Sequence, residues 1–195
     1  MNEVLKTIRS RYTARKFTGE AVSIEDLRAV AEAGNAAPSA YNKQQWQLVV
    51  VTNQELIAEL EAAGLEDLKN SVATRASYER IMSRGGRLFY GAPAIMIVAI
   101  PETDDENSVS SPVRDCGIVV ENMALAAHSL GLGNCICGLA GVPFAGERAQ
   151  YFKEKLGLKD GWTFGISLLL GAADLSHESG RPRLRELDSS KITYV

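Results

Sequence analysis

The stretch Ala36–Val51, AAPSAYNKQQWQLVVV, joins the end of a helix to the start of a strand through a loop dense in hydrogen-bonding groups. Ala33–Ala37 closes an alanine-rich helical pattern. Pro38 forbids its continuation and pushes Ala37 towards extended geometry. From Trp46 to Val51 the residues are apolar except Gln47, and the β-branched finish predicts a strand buried on both faces. Between the two lie Ser39, Tyr41, Asn42, Lys43, Gln44 and Gln45. Side-chain amides offer donors and acceptors together, so such a loop suits a neutral, flat, heteroatom-rich ligand. The alternative, that these groups only cap the helix and satisfy the loop backbone, stays open on the loop alone.

Working outward, a chain of 195 residues with 46% hydrophobic content can bury a core as one domain, 1–195. A net charge of -3 provides no global basic field, so no nucleic-acid partner is expected. Three cysteines, with Cys135 and Cys137 nearly adjacent, fit neither a disulfide framework nor a zinc knuckle. Reduced thiols in a cytoplasmic protein are expected. No apolar run reaches membrane-spanning length and the N-terminal stretch has no signal-type apolar segment, so no membrane association is expected.

Before the loop, Asn2–Arg9 reads as a short helix with Val4, Leu5 and Ile8 on one face. It runs into Arg11-x-Thr13-x-Arg15, where an extended segment would point both arginines and the hydroxyl the same way. Two guanidinium forks and a hydroxyl suit a phosphate monoester; a solvated basic face is the competing reading. Ser23 is placed as the N-cap of the next helix, with Glu25 and Asp26 in its first turn.

After the loop, Gln54–Leu65 is amphipathic, and Glu66–Gly86 is a polar surface helix or a flap over one edge of a site. Buried strands are predicted over Ala94–Ile100 and Trp162–Leu170, and a polar acidic loop over Pro101–Pro112. Asp115–Leu130 carries two apolar stripes, Val119/Met123/Ala126/Leu130 and Cys116/Val120/Ala124/Ala127, so it must be covered on more than one side. The second cover is either the chain's own core or another copy in an isologous dimer. Cys135–Gly138 reads as a short extended piece, Gly146–Leu156 as a helix, and Ile192–Val195 as a terminal edge strand. Arg181, Arg183 and Arg185 form a second basic cluster.

Nucleotide-binding glycine motifs of the Rossmann and P-loop kinds are absent. With only His128 and His177, neither a Ser–His–Asp triad nor a histidine-rich metal centre is expected, and no metal is assigned. Cys137 has no nearby base in sequence to make it a nucleophile.

Taken in order, Arg11-x-Thr13-x-Arg15-x-Phe17, APSAYNKQQW, YGAP before a strand, Asp115-Cys-Gly followed by ENMALAA and LGLG, and Arg181-x-Arg183 resemble the FMN-dependent nitroreductase family. The resemblance runs from residue 4 to about 185 and rests on five loose motifs in the family's order. It implies an α+β fold, a mostly antiparallel central sheet wrapped by helices, and an intertwined homodimer with FMN at the interface. Residues 184–195 would be an arm packing on the partner.

Carried over by residue, Arg11, Arg181 and Arg183 would clamp the phosphate and Thr13 would supply a ribityl or phosphate hydroxyl. Arg15 would be the cation beside flavin N1/O2. Pro38, Ser39, Asn42 and Gln44 would meet the flavin edge, with Pro38 and Ser39 reaching across the dimer. Cys137 and Gly138 would bring a backbone N–H to flavin N5. The implied activity is hydride transfer from NADH or NADPH to FMN, then ping-pong reduction of a small-molecule acceptor such as a nitroaromatic or quinone. Reductive dehalogenation, flavin fragmentation, or a non-catalytic flavin-binding dimer are the alternatives on this scaffold. Gln45 in place of a common proline, the short flap, and Cys137 in place of an acidic or aromatic residue depart from the family pattern.

Overall fold

The computed structural model describes residues 1–102 and 106–195. Six helices, α1 (Glu3–Ser10), α2 (Ile24–Asn35), α3 (Gln54–Asn70), α4 (Arg75–Met82), α5 (Glu106–Ser129) and α6 (Ala149–Lys155), surround four strands. The strands are β1 (Gln47–Val51), β2 (Ala94–Pro101), β3 (Gly133–Ile136) and β4 (Trp162–Gly171). Their order is β1-β2-β4-β3, with every neighbouring pair antiparallel. This is the α+β architecture that the sequence motifs imply.

Local chemistry sets the helix starts. Ser23 Oγ accepts the Asp26 N–H at 3.1 Å, and Asn2 and Asn53 cap α1 and α3 in the same way. Each face of the sheet is covered. Met96, Val98, Ile100, Leu168 and Leu170 pack against α2 and α5. Ile95, Ile97 and Leu169 pack against α3, α6 and the 3₁₀ turn Gly138–Phe144. Each such buried aliphatic contributes roughly 1.5–3 kcal/mol of transfer free energy. A bulge between Val98 and Ala99 leaves Gly165 without a partner, where an added Cβ would stand 2.8 Å from Cys116 Sγ and 2.9 Å from the Val98 carbonyl oxygen. The bulge lets Cys116 of α5 approach the strand where a side chain at 165 would block it.

Several sequence-based expectations change. Strand β1 is not buried on both faces: it lies at the sheet edge beside β2, and of its residues only Val51 is buried. Helix α3 continues to Asn70, and the flap reduces to α4 and its flanking turns. The loop expected over Pro101–Pro112 falls partly on residues 103–105, outside the described residues. From Glu106 the chain is helical, and Pro112 is accommodated inside α5. Cys116, Val119, Val120, Met123, Ala124 and Ala127 are all buried within the single chain, so most of both stripes is covered by α2 and the sheet. What α5 leaves open is a third side, Val113, Gly117 and Ile118. Ile192–Val195 forms no strand within the chain: a 3₁₀ turn at Ser189–Lys191 precedes it, and its apolar side chains are exposed with nothing to pair against.

Candidate functional site

The two basic segments, far apart in sequence, meet because residues 14–18 are laid against the chain that follows β4. Phe17 bridges Ala173 in antiparallel sense, and the Thr18 N–H donates to Ala172 O at 3.0 Å. The Asp174 N–H donates to Lys16 O at 3.0 Å and the Arg15 N–H to Ser179 O at 2.8 Å. On the other side, the Ala14 N–H donates to Asn134 O at 2.9 Å, tying the segment to β3. Ala14 and Phe17 anchor it by burial.

A cleft of about 520 Å³ results, lined by Thr13, Arg15, Lys16, Arg84, Tyr90, His177, Glu178, Ser179, Arg181, Arg183 and Arg185. Of the residues expected in the site, it gathers Thr13, Arg15, Arg181 and Arg183. Arg11 lies apart: it terminates α1, and its Nε stands 3.6 Å from Glu121 Oε1 on α5. The alternation that should align it with Thr13 and Arg15 fails because Arg11 is still the helix exit.

The loop after β4 is folded on itself. Asp174 Oδ1 accepts from the Ser176 backbone at 3.0 Å, and its pKa is lowered chiefly by the Ser176 hydroxyl. Arg181 donates from Nε to Leu175 O at 2.8 Å and from Nη2 to Ser176 O at 3.0 Å, so the guanidinium braces its own loop. His177 Nδ1 accepts the Ser179 N–H at 3.1 Å. Arg183 pairs with Glu178, both side chains 75% exposed, a contact weak enough to exchange for an anion.

At the inner end stands Tyr90, which sequence reasoning passed over although it opens the YGAP motif. It adopts a left-handed φ of 56°, followed by Gly91 at 78°. Its backbone is held on both sides: Phe17 N–H donates to Tyr90 O at 3.3 Å, and buried Glu61 accepts from Phe89 N–H at 2.9 Å and Arg87 Nε at 2.8 Å. Burial pushes the Tyr90 phenol up, Cys135 and Cys137 add to that, and the charge and hydrogen bond of Arg15 pull it back. Arg15 and Tyr90 both line the cleft, and neither Cys135 nor Cys137 does. Burial raises Cys135 to about 12 and raises Cys137 as well, so neither is a ready thiolate.

Cys137 is committed through its backbone. Its N–H donates to Ser167 O at 2.8 Å, and Ser167 Oγ donates to Cys137 O at 2.8 Å. The N–H expected to face a ligand is therefore spent inside the sheet. The next amide, Gly138, opens a 3₁₀ turn, where the first N–H groups have no partner within the turn.

None of Pro38, Ser39, Asn42 and Gln44 lines this cleft. Their loop is pinned to α5, with both Asp115 oxygens accepting the Ala40 N–H at 3.2 and 3.3 Å. Within it Ser39 Oγ accepts from Gln44 N–H at 2.9 Å and Asn42 Oδ1 from Gln44 Nε2 at 2.8 Å. Tyr41, Asn42 and Gln44 have left-handed φ values near 50°. Strain of this kind persists where the surroundings over-determine it, often at ligand sites. A larger cavity, about 860 Å³, lies between the end of α3 and the turn preceding α6, edged by Glu66, Asp67 and Glu147 with Arg148 as its cation. It holds none of the expected residues, and its acidic edge opposes an anionic ligand.

Comparison with known proteins agrees with this architecture. The Nitroreductase family matches residues 8–171. A nitroreductase with bound FMN from Desulfitobacterium hafniense DCB-2 superposes with a TM-score of 0.90 at 46% identity, covering 100% of this chain and 99% of its own. The NADPH-flavin oxidoreductase of Vibrio harveyi is 30% identical over 187 residues, 94% of this chain and 71% of that protein. An NAD(P)H-type FMN reductase of Bacillus subtilis strain 168 is 28% identical over 199 residues, 100% of this chain and 76% of that protein. With its sheet order, its paired basic segments and a family match over most of its length, the chain belongs to the Nitroreductase family.

Proposed function

We propose that the protein is an FMN-dependent oxidoreductase that takes hydride from NADH or NADPH and passes the electrons to a small-molecule acceptor. The observation that carries this is the convergence of Thr13, Arg15, Arg181 and Arg183 on one cleft. The donor set fits the cofactor: guanidinium groups and hydroxyls with a single carboxylate suit a phosphate monoester. Arg181 and Arg183 hold the phosphate, Arg183 by exchanging Glu178 for it, and Thr13 and Ser179 add hydroxyl donors. Arg11 joins by turning from Glu121.

Bound FMN supplies the hydride chemistry, which side chains cannot. Arg15, hydrogen-bonded to Tyr90, supplies a positioned positive charge at the exposed edge of the cleft, where it stabilises developing negative charge. The free-ended Gly138 N–H is the backbone donor offered to the ring. Donor and acceptor visit the same face in turn, a ping-pong order, with nitroaromatics and quinones as the acceptor class.

The loop Pro38–Gln44 enters this site from a second copy. Helix α1 buries none of its residues and leaves Val4, Leu5 and Ile8 exposed. With Val113 and Ile118 on α5 and Leu184, Leu187 and Ile192 on the arm, these make an apolar surface that a homodimer would cover. No described helix is long and apolar enough to cross a membrane, which accords with a cytoplasmic protein.

The deciding experiment is the visible spectrum of the purified protein with NADH and then NADPH added anaerobically. A flavin band that bleaches on addition is expected. A protein that takes up no FMN even when it is supplied would overturn the site.

A further inference from the structure

The cleft carries more positive charge than one phosphate uses. Six cationic side chains line it against Glu178 alone. A bound phosphate monoester contributes a charge of about −2, which leaves roughly three positive charges over. The surplus can be assigned. Arg15 faces Tyr90, Arg181 braces its own loop, and Arg183 pairs with Glu178. Lys16, Arg84 and Arg185 form no side-chain ion pair or hydrogen bond among the described residues.

Arg84 is the telling member, because it comes from neither basic cluster. It follows α4 and precedes Gly85 and Gly86, whose φ values are +99° and +68°. An added Cβ at Gly85 would meet nothing within 4 Å, and one at Gly86 only the end of Met82. The arginine therefore sits on an open, conformationally permissive corner at the cleft mouth. It also lines the small adjoining cavity with Arg80, Tyr90 and Leu139, so the flap meets the site through it.

We propose that Arg84, with Lys16 and Arg185, forms a second anion subsite for the ribose 2′-phosphate of the reduced nicotinamide dinucleotide, making NADPH the preferred reductant. This rests on the FMN reading above. The pyrophosphate is common to NADH and NADPH and cannot discriminate between them. An additional dianion can, and three unpaired cations at the mouth are the charge complement it needs.

The test is steady-state kinetics of the FMN-loaded protein with NADPH and NADH and one quinone acceptor, alongside flavin content from the absorbance ratio. Wild type should favour NADPH in kcat/KM by about tenfold or more. Arg84→Ala should raise KM for NADPH about tenfold with KM for NADH and kcat within about twofold, and Arg84→Lys should recover part of the loss. Added salt should raise KM for NADPH more than KM for NADH, which can be read on wild type if the variant does not fold. A yellow wild type that favours NADH, equal effects on the two reductants, or loss of FMN from Arg84→Ala would each overturn the subsite. Failure of wild type to hold FMN at all would instead overturn the underlying reading.

Discussion

The carboxylate of Asp115, 6% exposed, accepts the backbone N–H of Ala40 through both oxygens, at 3.2 and 3.3 Å. The contact joins α5 to a loop that holds three residues with left-handed φ. Removing the acceptor leaves a part-buried N–H unpaired and frees that strain. Asp115→Ala is expected to cost about 1–3 kcal/mol, seen as a lower thermal midpoint, with Asp115→Asn milder because it keeps one acceptor oxygen. If the loop serves the partner's cofactor, FMN affinity falls as well. An unchanged midpoint in Asp115→Ala would show that the contact anchors nothing.

Gly180 has no room for a side chain. A Cβ there would stand 2.0 Å from Asp174 O and 2.7 Å from its carbonyl carbon, both backbone atoms. Gly180→Ala must therefore push apart the turn that presents Arg181 and Arg183. The expected cost is about 1–3 kcal/mol of stability together with weaker FMN retention, read by flavin fluorescence on titration. Gly157→Ala, at a left-handed corner with φ +62° and open space around it, supplies the contrast. It should lose stability while retaining FMN normally.

Arg183→Ala tests the phosphate clamp directly. Loss of one charge-assisted hydrogen bond to phosphate is expected to weaken FMN binding by ~1.5–3 kcal/mol. Because the Arg183–Glu178 pair is exposed, the folded state itself should barely notice. Equilibrium dialysis of FMN and thermal unfolding separate the two effects. Wild-type FMN affinity in this variant would remove Arg183 from the clamp.

The buried thiols set an alkaline limit. Burial pushes Cys116 and Cys135 from an ordinary value of 9.0 up to about 12. Since the folded-state values are raised, the unfolded chain ionises first. Their contribution is complete below pH 9.0 and is lost as pH climbs from there towards about 12. Urea midpoints should fall across that window, and Cys116→Ala should flatten the fall. Ellman's reagent at pH 8 should meet slow thiols in the native protein, and all three on denaturation. A fast-reacting native thiol would contradict the burial.

Much of the fold was legible in short-range signals. Ser23 marked a helix start because its hydroxyl bonds an amide three residues away. Ala94–Ile100 declared itself a buried strand by an unbroken apolar run, and Trp162–Leu170 did so by a mostly apolar one whose first five residues prove half-buried. Both kinds of evidence lie within a few neighbouring residues. The polar stretch before Pro112 misled for the same reason: its local composition suggested a loop, while the chain is helical from Glu106 with Pro112 buried inside α5. Edge status of β1 depended on which strands pair with β2, and no property of QLVVV records that.

The site divides along the same line. By itself the sequence determined the inventory: two clusters of arginine, the first with a threonine inside it, an amide-rich loop, and the order of motifs that places the chain in its family. Tertiary structure alone decided which of these groups face one another. The Phe17–Ala173 bridge and the Arg15–Ser179 hydrogen bond bring Arg15 to Arg181 and Arg183, while helix exit geometry turns Arg11 to Glu121. The sheet spends the Cys137 amide on Ser167 and leaves the one at Gly138, and the turn after α4 delivers Arg84, which no motif announced. Residue type fixes what a side chain can bond. Which partner it meets depends on long-range backbone pairing, and that pairing is chosen by the burial of the whole core.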